Sequence, residues 1–139
     1  MRRFLLDTNV VLDALLNRQP FAAEAHRLWR ASDEGRFEAS IASFSIPTIY
    51  YICRKQSGAA AASRAVDVCL RAFEVAALYR ECVLAARQMP GDDFEDNLQI
   101  ASALTDFMQG IVTRDRDGFI ASPIRVYTPS ELLDTIETT

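Results

Sequence analysis

Residues 3–16 read RFLLDTNVVLDALL, and the pattern changes character within that run. Residues 3–6 are an apolar stretch, as expected of a strand buried on both faces. From Thr8 onward, Val10, Val11, Ala14 and Leu15 recur at helical spacing, with Thr8 or Asn9 as the expected cap and an end near Asn17. Asp7 stands at the switch from one pattern to the other.

The strand-to-helix switch repeats downstream, and the repetition decides the fold class. Pro20 opens an expected second helix with Ala22, Ala25, Leu28 and Trp29 on one face, closed by Gly35. Residues 37–42 read as a strand. Residues 44–56 read as a helix that tolerates Pro47 only in its first turn. Gly58 breaks that helix, and an alanine-rich one follows to Ala72. Residues 73–77 form a weaker third strand, and 79–89 a helix stopped by Pro90 and Gly91. Asp93 caps a strong helix, and Gly110 separates it from a strand at 111–113. A last short strand covers 125–127. Thr128 and Pro129 then begin a C-terminal helix, with Glu131 near its positive end. Strands alternating with helices predict a three-layer α/β/α sandwich around a mostly parallel sheet of about five strands. Residues 1–139 are expected to form a single domain.

Composition narrows the class. The 139 residues are 50% hydrophobic and 24% charged, which suits a soluble globular domain. No apolar run approaches the roughly 20 residues that span a bilayer. The start meets Asp7 too soon to be a secretory signal, so a cytoplasmic protein is expected. Cys53, Cys69 and Cys82 share no metal-ligand or disulfide spacing and read as small buried hydrophobes. His26, the sole histidine, reads as a surface or edge residue rather than a catalyst. Phe44, Tyr50, Tyr51 and Trp29 read as core rather than as base-stacking residues. The net charge of −4 disfavours a general nucleic-acid binder but not a nuclease, whose metal ions and local arginines supply positive charge.

In parallel sheets, ligand groups gather beyond the carboxyl ends of the strands. Asp7 follows the first strand, Asp115 and Asp117 follow the fourth, and Asp96 lies in the first turn of the helix between the third and fourth. All are therefore expected at one edge of one sheet. Each has a purely local reading as well: Asp7 as a helix cap, Asp93 with Asp96 as a capping pair, Asp115 and Asp117 as turn residues beside Gly118. Converging carboxylates are costly unless a cation neutralises them, so jointly they point to a divalent-metal site and phosphodiester hydrolysis.

Four segments, LLDTNVVLDALL (5–16), DFEDNLQIASAL (93–104), GIVTRDRDGF (110–119) and SPIRVYTPSELL (122–133), together resemble a PIN domain. The likeness is to the bacterial VapC-type toxin ribonucleases and their relatives, over nearly the whole chain. It implies a metal-dependent endoribonuclease in which Asp7, Asp96 and Asp115 hold Mg²⁺ or Mn²⁺, with Asp117 assisting or replacing Asp115. Thr8, Asn9, Thr113 and Asp93 would support the site, and Arg114, Arg116, Arg54 and Lys55 would contact RNA. It further implies an antitoxin partner and a homodimer, for which the apolar faces of residues 10–29 and 44–53 are candidates. One position departs from the pattern: where the family carries a second acid, this chain has Thr48, a poor Mg²⁺ ligand. Three outcomes follow: one metal held by Asp7, Asp96 and Asp115; compensation by Asp93, Asp117 or Glu95; or a catalytically impaired protein that binds RNA or a protein partner.

Two different enzyme classes fit less well. An aspartyl nucleophile of the haloacid dehalogenase type needs a second aspartate where Asn9 stands, and a response-regulator receiver needs a late lysine, whereas Lys55 is the sole lysine.

Overall fold

A computed structural model describes residues 2–137. Strand β1 (Arg3–Leu6) is followed by helices α1 (Thr8–Leu15) and α2 (Ala22–Asp33), then β2 (Glu38–Ala42), α3 (Ser45–Ser57) and α4 (Ala59–Ala72). Strand β3 (Glu74–Ala76), α5 (Arg80–Gln88), α6 (Phe94–Thr105) and β4 (Gly110–Val112) come next. A single 3₁₀ turn (Arg116–Phe119), β5 (Arg125–Tyr127) and α7 (Pro129–Glu137) complete the chain.

The five strands form one sheet in the order β3-β2-β1-β4-β5, every pairing parallel. Strand β1 is central, with Leu5 opposite Ser40 on one side and Ile111 on the other. Alternation along β1 separates the layers. Phe4 and Leu6 join a cluster with Val11, Leu28, Ile49, Ala62 and Leu132, from helices α1, α2, α3, α4 and α7. Leu5 faces the opposite way, onto Ile100 and Ala103 of α6, with Met108, Ile111 and Phe119. Helix α5 packs on α6. This is the three-layer sandwich expected from the sequence.

Local chemistry explains the element ends. Gly58 joins α3 to α4 at φ +90°, a backbone conformation that side chains with a Cβ rarely adopt. Helix α6 begins where the Asp93 side chain accepts the Asp96 N–H at 3.1 Å. At α7, the Thr128 N–H donates to Glu131 Oε1 (2.8 Å) and the Glu131 N–H to Thr128 Oγ1 (3.2 Å), a reciprocal capping box.

Some expectations shift. The residue capping α1 is Asp7, not Thr8 or Asn9, because the chain stays extended there (ψ 144°). Pro20 lies in the turn before α2 rather than inside it, and Gly110 belongs to β4 instead of preceding it. Trp29 and Tyr50 pack against the core, but Tyr51 is 65% exposed and is not core. The three cysteines are buried and free, and burial, then Cys53, push the Cys69 thiol up to about 12. No described helix is long and apolar enough to cross a membrane.

Candidate active site

The carboxyl ends of β1 and β4, the start of α1 and the first turn of α6 enclose a cleft of about 250 Å³. Asp7, Asp96, Asp115, Asp93 and Glu95 line it, with Thr8, Asn9 and Thr48 between them. Three of the four acids expected to be catalytic therefore come together there. Asp117 does not line the cleft. It lies exposed in the 3₁₀ turn, where its backbone N–H donates to Asp115 Oδ1 at 3.3 Å.

Asp7 is the most buried of these acids, at 7% exposure. The Gln99 Nε2 amide donates to its Oδ1 (2.9 Å) and the Thr113 hydroxyl to its Oδ2 (2.8 Å). Burial raises its pKa, while Gln99, Thr113 and the adjacent amides of Thr8 and Asn9 oppose the rise. The Thr113 hydroxyl also accepts the Asp115 N–H at 3.1 Å. One hydroxyl thus links the end of β4 to the acid at the end of β1.

Asp96 is half-buried, and its carboxyl is pushed up to about 7 by burial, then by the charges of Asp7, Asp93, Glu95 and Asp115. Glu95 is raised by burial, then by Asp93 and Asp7. Four neighbouring acids that raise Asp96 make a spot of negative potential, and a cation entering it would relieve the repulsion. Oxygen donors of this kind suit a hard divalent ion such as Mg²⁺ or Mn²⁺, so the donor chemistry fits. The arrangement is open: among the described residues no three acidic, histidine or cysteine side chains form a set arranged to hold a metal ion.

The supporting residues have distinct duties. Thr8 Oγ1 and Ser45 Oγ share a buried hydrogen bond at 2.6 Å, tying α1 to α3. Thr48, one turn further along α3, faces the cleft without a charge. The arginines beside Asp115 are both engaged elsewhere. Arg114 Nε donates to Asp13 Oδ2 at 2.8 Å, and Arg116 pairs with Glu131 at 2.9 Å. Arg54 and Lys55 are exposed in the last turn of α3.

Sequence reasoning missed Gln99, Ser45, Asp13 and Gly118. Gln99 carried a signal, since it lies three residues after Asp96 on the same helical face and is a polar residue among buried positions. Asp13 carried another, as an acid inside an apolar helix. Ser45 and Gly118 resemble ordinary helix-start and turn residues.

A family model described as PIN domain matches residues 3–117. No curated protein matches the sequence. Among solved structures, the chain is similar to the Mycobacterium tuberculosis toxin VapC20, titled a Sarcin-Ricin loop cleaving toxin: 15% identity, 85% of this chain and 94% of that one covered, TM-score 0.68. It is similar to DNA-bound VapBC from Salmonella typhimurium at 19% identity, 93% and 99% coverage and TM-score 0.69. A toxin–antitoxin complex from Klebsiella pneumoniae matches at 18% identity, 90% and 96% coverage and TM-score 0.67. At these identities the likeness is one of fold.

Proposed function

The chain belongs to the PIN domain family, and on that premise we propose that it is a metal-dependent endoribonuclease, the toxin of a toxin–antitoxin pair. The observation that carries the reading is the convergence of Asp7, Asp96 and Asp115 in one cleft at the carboxyl edge of the sheet. Asp7, Asp96 and Asp115 would hold Mg²⁺ or Mn²⁺. When bound, such an ion supplies an acidified water and neutralises charge on the phosphate oxygens.

The chain's own groups do the rest. Gln99 and Thr113 hold Asp7 in one orientation by donating to its two oxygens. Glu95, whose proton affinity is raised in the same cleft, takes the place of the acid missing at Thr48 and accepts the proton of the attacking water. Asp117, outside the cleft lining, is left a backbone role. Arg54 and Lys55 lie on the helix whose start carries Thr48 and would contact RNA phosphates, where such side chains position without reading bases. Arg114 and Arg116 contribute less to that contact because acids already hold them.

The partners follow from the same premise. An apolar groove lined by Leu15, Leu16, Cys53, Ala61, Ala65 and Val68 lies between α1, α3 and α4 and would take an antitoxin segment. A structural neighbour titled as a toxin–antitoxin complex supports an antitoxin partner. A homodimer and a cytoplasmic location belong to the same proposal.

A second reading rests on Thr48: a PIN-fold protein that binds RNA or a protein partner with little catalysis. Cleavage of structured RNA with Mn²⁺ by wild type, Asp7→Asn and Thr48→Glu separates the two. Loss with Asp7→Asn and gain with Thr48→Glu support the nuclease. An inactive wild type that still binds RNA supports the second reading, and equal cleavage by all three removes the proposed site.

A further inference from the structure

Asp13 lies in the last turn of α1, is 1% exposed, and is not part of the cleft lining. Both its oxygens are taken. Arg18 Nε donates to Oδ1 and Arg114 Nε to Oδ2, each at 2.8 Å. Neither arginine ends there. Arg18 Nη2 reaches the Asn9 carbonyl and Asn9 Oδ1, each at 3.2 Å. Arg114 stacks its guanidinium over the Phe21 ring at 4.0 Å and sits in the chain between Thr113 and Asp115.

A buried carboxylate is an expensive way to fill the apolar face of a helix. A leucine there would avoid the desolvation cost, and buried ion pairs of this kind often add no stability over well-packed apolar residues. What the acid supplies instead is geometry. A planar guanidinium fixes direction as well as distance, and here two of them join one carboxylate to two chain segments that supply cleft-lining residues. One arm ends on Asn9, beside Asp7. The other ends at the turn that carries Asp115 and the Thr113 hydroxyl bonded to Asp7.

We propose that Asp13 is a positioning residue of the acidic cleft: through Arg18 it holds Asn9, and through Arg114 it holds the turn at 113–115, so one buried carboxylate sets the separation of Asp7 and Asp115. The assignment rests on the nuclease reading for its consequence but not for its geometry. It also gives Arg114 a duty other than RNA contact.

The test compares wild type, Asp13→Asn, Arg114→Gln and the double variant, using amide hydrogen exchange on the metal-free protein and Mn²⁺ titration by calorimetry. Asp13→Asn should speed exchange at both 9–11 and 113–117 while leaving β1 and β2 protected. Arg114→Gln should speed only 113–117. Mn²⁺ affinity should fall about 10-fold or more in Asp13→Asn, the scale seen when partners that orient metal ligands are removed. The double variant should bind no more weakly than Asp13→Asn alone, since both act through one connection. Unchanged exchange in both segments, or losses of Mn²⁺ affinity that simply add, would overturn the proposal. If Asp13→Asn does not fold, Arg114→Gln decides by whether 113–117 alone is released. A wild type that neither binds Mn²⁺ nor cuts RNA removes the nuclease reading, and the exchange pattern still decides the role of Asp13.

Discussion

Asp96 lies so close to Gly118 that a Cβ at position 118 would collide with its carboxylate. The 3₁₀ turn therefore carries a glycine to make room for an acid from α6, not to adopt a special backbone conformation. Gly118→Ala should displace the Asp96 carboxylate and weaken Mn²⁺ binding about 10-fold. The fold should persist, because the turn is at the surface. Calorimetric titration with a thermal melt of the same sample checks both halves, and unaltered Mn²⁺ affinity would contradict the role given to Gly118.

The acid crowding should be visible in stability. Asp96 has an ordinary value of 3.8 and is pushed up to about 7 by burial and its acidic neighbours. Between those values the folded state holds more protons than the unfolded one, so stability is highest at the acid end of this window and falls as pH rises through it. Asp96→Asn should then stabilise the metal-free protein at pH 8. After allowance for solvent screening at a half-exposed site, the gain should be roughly 1 kcal/mol, or about 3–5 °C in Tm. Saturating Mn²⁺ should flatten the pH dependence of the wild type. Melts from pH 4 to 8 measure both effects, and a wild type whose metal-free Tm climbs with pH would refute them.

At the cleft itself, Asp7→Asn should lower RNA cleavage about 100-fold or more, since it removes the charge of the best-held carboxylate. Thr48→Glu should raise cleavage about 10-fold by adding a carboxylate ligand to the cleft lining. Single-turnover rates on a structured RNA, at fixed Mn²⁺, are the measurement. A Glu95→Gln loss that Thr48→Glu repairs would show that the two positions share one duty.

The Thr8–Ser45 hydrogen bond offers a purely structural check. Ser45 is fully buried, and Thr8→Val keeps the shape while leaving the Ser45 hydroxyl without its partner. Stability should drop by about 1–2 kcal/mol, roughly 4–8 °C in Tm. The Thr8→Val, Ser45→Ala double variant should recover part of that loss. Equal Tm in wild type and Thr8→Val would mean that the bond is not formed in solution.

How much of this was legible in the chain depends on the kind of signal. The order of strands and helices was readable because apolar spacing reports burial directly, and Asp7, Asp96 and Asp115 were readable because strand ends in a parallel sheet share one edge. Their partners were not. Gln99 and Asp7 are 92 residues apart, and nothing local says that one amide meets that carboxylate. Arg114 looked like a free cation beside an acid until the fold set a buried aspartate from α1 against it. Tyr51 failed for a simpler reason: successive residues of a helix point about 100° apart, so Tyr50 packs against the core and Tyr51 turns out to solvent.

The central place of β1 has a consequence for synthesis. Of the five described strands β1 comes first in the chain, yet β4 must leave the ribosome before the second side of β1 is covered. Thr113 follows Asp7 by 106 residues, which is about 5–20 seconds of translation at common elongation rates. Until then the chain has Asp7 but neither its hydroxyl partner nor Asp115. A growing chain of this topology cannot assemble the acidic cleft until β4 and the turn after it have been added.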